Sequence, residues 1–283
     1  MTIRAIAPRA AWHATRPDDG LTRTGGLTEP LILRHDSDGI VELRLNRPDR
    51  HNALVPALLV SLEAALVAVA DDPPRALILS AAGRSFSSGG DVQAFYDVAQ
   101  HERRTYAKRV VGSLNRVILA LLNLPCPTVA AVHALVTGGS VGLALACDIA
   151  VGGPRTSFAP WYTAVGFSPD GGWTALMPDR IGRARAMEVQ LLNQRLDAEE
   201  ALRLGLLQQL APDTEGVGPL AHQLAAQVAA AKPGSVRHTL TLMRPDVDAV
   251  GRGLAAELAH FLAQIDTDEA DHGMADFLGI TDA

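Results

Sequence analysis

The strongest constraint on the fold of this chain is an alternation of short apolar runs with helical segments between residues 31 and 170. Runs at 31–33 and 40–45 are typical of strands, and the segment DSDG between them is typical of a turn. Further strand-like apolar runs lie at 76–79, 128–132 and 149–151. Strands that alternate with helices predict right-handed crossovers and a largely parallel sheet.

The second half of the chain has a different pattern. A long helix is predicted from about 92 to 123, and beyond residue 171 the pattern is helical almost to the end. One apolar stripe at helical spacing there consists of Leu254, Leu258, Phe261, Leu262 and Ile265. Such a stripe can cover the chain's own core or a neighbouring subunit. The sequence thus predicts an α/β core followed by a helical C-terminal region.

Composition limits the kind of protein. With 48% hydrophobic but only 4% aromatic residues, the 283-residue chain can fill a sizeable core that must be aliphatic. A net charge of −6 gives no overall basic footprint for nucleic acid. Cys126 and Cys147 form no CxxC pair, which argues against a zinc site or a disulfide framework. The N-terminus lacks a continuous apolar region, so a cytoplasmic protein without membrane segments is expected.

Two glycine-rich segments each follow a predicted strand and precede a predicted helix. They are residues 83–91 (GRSFSSGGD) and 136–142 (VTGGSVG). Glycine lets backbone N–H groups approach a ligand, and a helix start adds partial positive charge. Two such turns from neighbouring strands can aim one N–H each at a single oxygen, which is the geometry of an oxyanion hole. Taken singly, each segment is equally consistent with a tight turn.

A third segment, residues 166–173 (GFSPDGGW), places a carboxylate in a loop rich in glycine. On local grounds Asp170 is as consistent with a turn or helix-capping residue as with a catalytic acid or base. The residues alone leave both roles open.

Together these segments resemble the enoyl-CoA hydratase/isomerase (crotonase) superfamily. The similarity covers residues of about 30 to 280. It rests on LNRPDRHNAL at 45–54, RSFSSGGDV at 84–92, the segment from AVH at 131–133 to ACDI at 146–149, and GRARAME at 182–188.

The resemblance implies an α/β fold, a crotonase-like spiral of ββα units with a helical C-terminal trimerisation region. Residues 1–29 carry proline and glycine without sustained apolar periodicity, which predicts a flexible N-terminal arm. The resemblance then gives a ββα core (30–210) and a C-terminal helical region (211–283). It further implies a homotrimer or a dimer of trimers acting on an acyl-CoA thioester. No metal is expected, and no cofactor beyond the coenzyme A that forms part of the substrate. No nucleic-acid or membrane partner is expected.

The resemblance also assigns site residues. The thioester oxygen is expected to face the backbone N–H groups of Gly90 and Gly139. The path of the CoA moiety is expected along Ser88, Gly90, Asp91 and Val92 with Arg50 nearby, although Arg50 is equally consistent with an ordinary surface cation. Tyr162 is expected to contact the substrate. An enolate or a tetrahedral intermediate places negative charge on the thioester oxygen, and fixed N–H dipoles stabilise it without reorganising.

The chain departs from the family pattern at two positions. Family hydratases carry two glutamates that place water across a double bond, and the corresponding positions here are Gly142 and Tyr162. Asp170 matches a loop carboxylate of the superfamily's isomerases and of its chlorobenzoyl-CoA dehalogenase. A single carboxylate can remove a proton at one carbon and return it at another. Double-bond isomerisation with Asp170 as acid and base is therefore predicted, with Tyr162 as a possible hydrogen-bond donor.

Three alternatives remain open from the sequence. Asp170 can act as a nucleophile in hydrolase or dehalogenase chemistry. The chain can be a CoA-binding scaffold that has lost catalysis. Residues 138–142 (GGSVG) also match the G-x-S-x-G nucleophile elbow, which would make Ser140 the nucleophile of an α/β-hydrolase.

Overall fold

The computed structural model describes residues 29–280, so nearly all of the predicted arm at 1–29 lies outside the described residues. The strands are β1 (Ile32–Ser37), β2 (Ile40–Leu45), β3 (Ala76–Ala81), β4 (Thr128–Ala131), β5 (Leu135–Thr137), β6 (Ile149–Gly152), β7 (Ser157–Ala159) and β8 (Gln209–Leu210). The helices are α1 (Pro56–Asp71), α2 (Val92–Asp97), α3 (Gln100–Asn123), α4 (Val141–Leu145), α5 (Tyr162–Val165), α6 (Met177–Ile181), α7 (Arg183–Leu191), α8 (Ala198–Arg203), α9 (Val217–Ala230), α10 (Pro233–Met243), α11 (Val247–Gln264) and α12 (Asp268–Leu278).

Strands β1 and β2 form the predicted hairpin. They pair antiparallel from Ile32 opposite Leu45 to Ser37 opposite Ile40. The two turn residues, Asp38 and Gly39, both have positive φ, 52° and 74°. Two left-handed residues suit the tight turns that match the twist of a hairpin, so the predicted turn is confirmed.

The rest of the main sheet is parallel, as predicted. Its order is β1-β2-β3-β4-β6-β8, and every pair after the first is parallel. The sequence of β3, ALILSA, is buried along nearly its whole length, which is typical of a strand covered on both faces. A second sheet pairs β5 with β7 in parallel.

The single helix predicted from about 92 to 123 is wrong in one respect, because the chain breaks between α2 and α3. Val98 and Ala99 adopt extended conformations between the two helices. The buried guanidinium of Arg103 donates through Nε to the carbonyl oxygen of Phe95 at 3.1 Å. That contact satisfies a carbonyl at the C-terminus of α2. No glycine or proline lies at the break, so the local sequence does not predict it.

The C-terminal helices pack on the same chain. Leu254, Phe261 and Ile265 of the predicted stripe are buried in the main core, and α11 lies against α3 while α12 lies against α2 and α5. The stripe therefore covers the chain's own core. No helix within residues 29–280 is long and apolar enough to cross a membrane. The predicted boundary near 210 stays a prediction.

Candidate active site

The two glycine-rich turns lie in direct contact. Ser87 pairs with β5 through its N–H to Leu135 O (3.0 Å), and Thr137 N–H donates back to Ser87 O (3.2 Å). At Gly89, with φ of 82°, an added Cβ would lie 2.5 Å from Thr137 O. Only glycine fits this approach without strain. The first turn is thereby held against the second, as the sequence predicts for strands that neighbour one another.

The motif before α1 supports the first turn. Asn52, which is fully buried, donates through Nδ2 to Ala82 O (2.8 Å) and Ser85 O (2.9 Å). Its Oδ1 accepts from the N–H of Arg47 at 2.8 Å. A buried side-chain amide with all these partners fixes the start of the first turn. Asn52 therefore has a structural role.

The peptide groups that precede Gly90 and Gly139 are each anchored through their carbonyl oxygen. Leu54 N–H donates to Gly89 O at 2.7 Å, and Trp173 Nε1–H donates to Gly138 O at 2.8 Å. In a planar trans peptide the N–H points opposite to the C=O. Each anchor therefore fixes the direction of the next residue's N–H.

The N–H groups of Gly90 and Gly139 have no acceptor among the described residues. An added Cβ on Gly138 would lie 4.0 Å from the nitrogen of Gly90, so the Gly90 amide lies next to the turn that carries Gly139. Buried amides are normally paired, and both residues line one pocket. Two free N–H groups at the wall of a pocket can together stabilise an anionic oxygen.

Asp170 lies beside this pair of amides. An added Cβ on Gly139 would lie 2.8 Å from Asp170 Oδ1, and Asp170 is 7% exposed and lines the same pocket. Its Oδ1 accepts a hydrogen bond of 2.5 Å from the hydroxyl of Tyr162, which is 4% exposed. Its Oδ2 accepts no hydrogen bond from a described residue. The structure thus brings together Gly90, Gly139, Tyr162 and Asp170.

Burial raises the pKa of the Asp170 carboxyl to about 7. The hydrogen bond from Tyr162 lowers this pKa, and the negative charge of Glu257 raises it. Burial also raises the pKa of Tyr162 well above its ordinary value, so the phenol stays protonated and remains the donor. A carboxylate with a pKa near neutrality suits reversible proton transfer.

Glu257 on α11 holds the loop that carries Asp170. Its carboxylate accepts from Gly172 N–H (2.8 Å), Thr174 N–H (2.7 Å), Ala175 N–H (3.0 Å) and the Thr174 hydroxyl (2.7 Å). Sequence reasoning missed this residue. The available signal is its spacing: Glu257 falls three residues after Leu254 and four before Phe261, on the buried face of the helix. A carboxylate there requires polar partners.

The space beside Gly142 is filled by the same loop. An added Cβ at Gly142 would overlap the carbonyl oxygen of Gly171 and lie 2.6 Å from Cδ1 of Ile118. No side chain of any kind fits at Gly142 with the loop in this position. The resemblance places a hydratase glutamate here, and this backbone has no room for one.

The residues expected to bind the substrate or its CoA moiety divide into two groups. Ser88, Gly90, Val92 and Tyr162 line the pocket. Asp91 instead caps α2 by accepting from Ala94 N–H at 3.2 Å and pairs with Arg47 (3.1 Å) and Arg50 (3.4 Å). Arg50 and Asp91 therefore lie together beside the pocket and do not line it.

The hydroxyl of Ser140 is fully buried and bound to backbone groups. It donates to Thr137 O (2.7 Å) and lies 3.2 Å from Ser87 O, and it accepts from Thr137 N–H (3.1 Å). No described histidine is hydrogen-bonded to it. Ser140 closes the second turn, and this geometry argues against its role as a nucleophile.

The pocket itself is apolar. Among residues 29–280, the polar groups in its lining are the side chains of Ser88, Tyr162 and Asp170 and the indole N–H of Trp161. The remainder are apolar side chains, glycine and proline. Within residues 29–280 no group of three or more His, Cys, Asp or Glu side chains is arranged to hold a metal ion. A mostly apolar pocket with a few convergent polar groups is typical of a small-molecule site.

Comparison with known proteins identifies the family of this chain. The family model of enoyl-CoA hydratase/isomerase matches residues 35–282. The chain is 36% identical to the "Probable enoyl-CoA hydratase EchA12" of Mycobacterium tuberculosis over 214 residues, covering 72% of this chain and 73% of that protein. It is 34% identical to 1,2-epoxyphenylacetyl-CoA isomerase of Escherichia coli over 200 residues (70% and 76%). It is 33% identical to 4-chlorobenzoyl coenzyme A dehalogenase-2 of an Arthrobacter species over 194 residues (67% and 70%).

Solved structures agree on the architecture. OdaA of Pseudomonas aeruginosa aligns with a TM-score of 0.79 at 27% identity, over 88% of this chain and 98% of that one. The enoyl-CoA hydratase of Bacillus halodurans aligns with a TM-score of 0.81 at 24% identity, over 87% and 99%. The crotonase fold expected from the sequence is confirmed. The chain belongs to the enoyl-CoA hydratase/isomerase family.

Proposed function

We propose that this protein is an acyl-CoA isomerase in which Asp170 is the single acid and base. Asp170 takes a proton from a carbon activated by the thioester, and the amides of Gly90 and Gly139 stabilise the oxygen of the resulting enolate. The same carboxylic acid then returns the proton to another carbon of the conjugated system. No proton is gained or lost overall, so one titratable group suffices.

The observation that carries this proposal is the placement of one carboxylate, with a pKa of about 7, beside the Gly139 amide. At neutral pH such a group is present in both protonation states, and it can therefore accept and donate. Its Oδ1 is held by Tyr162, which leaves Oδ2 available for the proton. A thioester whose oxygen contacted the two glycine amides would bring its acidic carbon close to the Asp170 carboxylate, because an added Cβ on Gly139 would lie 3.3 Å from the carboxylate carbon.

Hydration by paired glutamates is not supported by the residues at the two corresponding positions. Gly142 has no room for a side chain, and Tyr162 carries a phenol that is hydrogen-bonded to Asp170. Isomerisation needs only the one carboxylate that is present.

The test is solvent deuterium exchange at the α and γ carbons of crotonyl, 3-enoyl and phenylacetyl thioesters of CoA. We expect exchange in the native protein and its loss in Asp170→Asn. Asp179→Asn is the matched control, because Asp179 is exposed and outside the pocket. Exchange that persists in Asp170→Asn would overturn the role of this residue. Tight thioester binding without exchange would favour the scaffold alternative.

A second candidate is nucleophilic chemistry at Asp170, favoured by the similarity to a chlorobenzoyl-CoA dehalogenase. In that reaction the carboxylate attacks a ring carbon, halide leaves, and water hydrolyses the ester formed on Asp170. It predicts halide release from 4-chlorobenzoyl-CoA. It also predicts transfer of heavy oxygen from labelled water to the Asp170 carboxylate during turnover. Absence of both results would exclude this candidate.

We further propose that the protein assembles as a homotrimer or a dimer of trimers, as the resemblance implies. Helix α10 has no buried residue, and Leu242 and Met243 near its end are 82% and 78% exposed. Large apolar side chains at such exposure are typical of an interface. Sedimentation analysis should give three or six chains. Leu242→Lys should weaken the assembly, whereas a monomeric native protein would contradict the proposal.

A further inference from the structure

The distribution of aromatic residues points to the acyl group. The chain holds six Phe, three Trp and three Tyr residues, only 4% of its composition. Eleven of them lie within residues 29–280, and six of these eleven line the pocket that contains Asp170: Phe95, Trp161, Tyr162, Phe167, Phe261 and Phe277. About half of the few aromatic side chains of this largely aliphatic protein therefore lie at one site.

Three of these rings form an aromatic cluster on one wall, made of Phe95, Phe167 and Phe261. Their ring centroids lie 5.3 to 5.9 Å apart, with interplanar angles of 50° to 65°. Tyr106 packs against the cluster, with its ring 5.1 Å from the ring of Phe95 and nearly perpendicular to it. The members come from α2, the loop after α5, and α11. The wall is thus assembled from distant parts of the chain.

A second aromatic pair borders the pocket. The rings of Trp161 and Phe277 lie 6.3 Å apart at an angle of 65°. Trp161 has a φ of 65°, a left-handed conformation that is uncommon for a bulky residue. Its N–H is held by Oδ1 of Asn193 at 2.9 Å. A strained residue that neighbouring groups hold in place is typical of a functional position.

We propose that the acyl group accepted by this site is aromatic, that is, an arylacyl thioester of CoA whose ring lies between the aromatic cluster and the Trp161–Phe277 pair. Aromatic rings prefer edge-to-face contact, because the positive edge of one ring meets the negative face of another. Walls of rings tilted relative to one another offer both edges and faces to an added ring. A saturated chain gains only from apolar burial in the same space.

The polarity of the pocket agrees with this substrate class. Tyr162 and Asp170 are hydrogen-bonded to each other. Among the residues the structure describes, Ser88 and the indole N–H of Trp161 are the further polar groups of the lining. An acyl group bearing charge or several hydroxyls would lose its hydration without replacement. A benzene ring next to the activated carbon also delocalises the negative charge of the enolate formed there.

This inference rests on the proposed function, and a binding measurement separates the two. The full-length protein is titrated by calorimetry with phenylacetyl-CoA, cyclohexylacetyl-CoA and octanoyl-CoA, which match in acyl carbon number. We expect phenylacetyl-CoA to bind about threefold to tenfold more tightly than the two saturated thioesters. Aromatic preference without deuterium exchange would leave the substrate class standing while the proposed isomerase fails. Equal or tighter binding of octanoyl-CoA would overturn the inference.

Two variants assign the preference to the rings. Phe277→Leu changes a residue that is 45% exposed, so the fold should persist, and the ratio of phenylacetyl to cyclohexylacetyl affinity should fall at least twofold. Phe261→Leu, in the buried cluster, should reduce the ratio further. Tyr96→Leu is the control, because Tyr96 is an aromatic residue of α2 outside the pocket lining. An unchanged ratio in folded Phe277→Leu and Phe261→Leu would overturn the assignment.

Discussion

The hydroxyl of Tyr162 donates a hydrogen bond of 2.5 Å to Oδ1 of Asp170, inside a pocket that also presents the amides of Gly90 and Gly139. The resemblance to family hydratases places a glutamate at position 162. In this chain Tyr162 stands there and donates a hydrogen bond to Asp170. The pair ties one oxygen of Asp170 and leaves the other open to the pocket. The hydrogen bond from Tyr162 affects the pKa of Asp170 and therefore the pH range in which Asp170 can act as a base.

Replacing Tyr162 by Phe should raise the pKa of Asp170, because the lost hydrogen bond stabilises the charged form. A base must be deprotonated to act, so the fall in exchange rate at low pH should begin at a higher pH than in the native protein. The measurement is the pH dependence of α-proton exchange in both proteins. An unshifted profile would show that the phenol does not tune Asp170. Loss of exchange at every pH would indicate a direct role for Tyr162 in proton transfer.

Glu257→Gln should have the opposite effect. Removal of a nearby negative charge lowers the pKa of Asp170, so exchange should persist to lower pH. The amide nitrogen of Gln cannot accept from the loop, and the free energy of unfolding should fall by about 1–3 kcal/mol. Glu269→Gln is the control, since Glu269 is exposed and outside the pocket lining. A shift to higher pH would contradict the electrostatic role of Glu257.

Trp173→Phe tests the anchoring of the Gly139 amide. The variant keeps an aromatic ring in the core but loses the donor to Gly138 O, so the peptide is free to turn. Deletion of a whole oxyanion donor costs about 10²–10³ in rate, and loss of its anchor should cost roughly tenfold. The kcat should fall while KM changes little, as expected for an interaction that is made only in the transition state. Equal loss of thioester binding would instead indicate a role in packing alone.

Gly142→Ala should destabilise the protein by about 1–3 kcal/mol, because its Cβ displaces Gly171 and with it the loop of Asp170. Gly218→Ala on α9 is a matched control, since nothing lies within 4 Å of the added Cβ there. It should be neutral or stabilise by less than about 1 kcal/mol. Urea unfolding measures both. Similar stability of the two variants would show that the loop adapts and that a side chain at Gly142 is admissible.

The sequence predicted those parts of the site that lie in short, contiguous segments. The hairpin, the parallel strands and the contact between two glycine turns followed from local pattern and strand order. The anchor from Trp173 to Gly138 could not be predicted, because it joins residues 35 apart through a loop of no regular structure. The spacing of Glu257 indicates a buried position, but its partners lie 82 to 85 residues earlier, so its role in holding this loop could not be predicted. The break between α2 and α3, where Arg103 binds the carbonyl oxygen of Phe95, could not be predicted because no glycine or proline lies there.

The gathering of aromatic residues around the pocket could not be predicted from the sequence either. Phe95, Phe167 and Phe261 are widely separated in the sequence. Phe95 and Phe261 lie at helical positions typical of a core, and Phe167 lies in a loop. Only the packing of α2 and α11 around the loop after α5 shows that they share a wall with Asp170. Composition indicated an aliphatic protein, and it could not show where the few aromatic side chains would gather.

The most direct measurement of the central claim is the rate of α-proton exchange of an acyl-CoA in deuterium oxide, followed across the pH range for the native protein and Asp170→Asn. Because the pKa of Asp170 is about 7, the native rate should rise with pH and level off above that value. Asp170→Asn should show no exchange at any pH while still binding the thioester. A native rate without this rise, or exchange that survives in Asp170→Asn, would contradict Asp170 as the base.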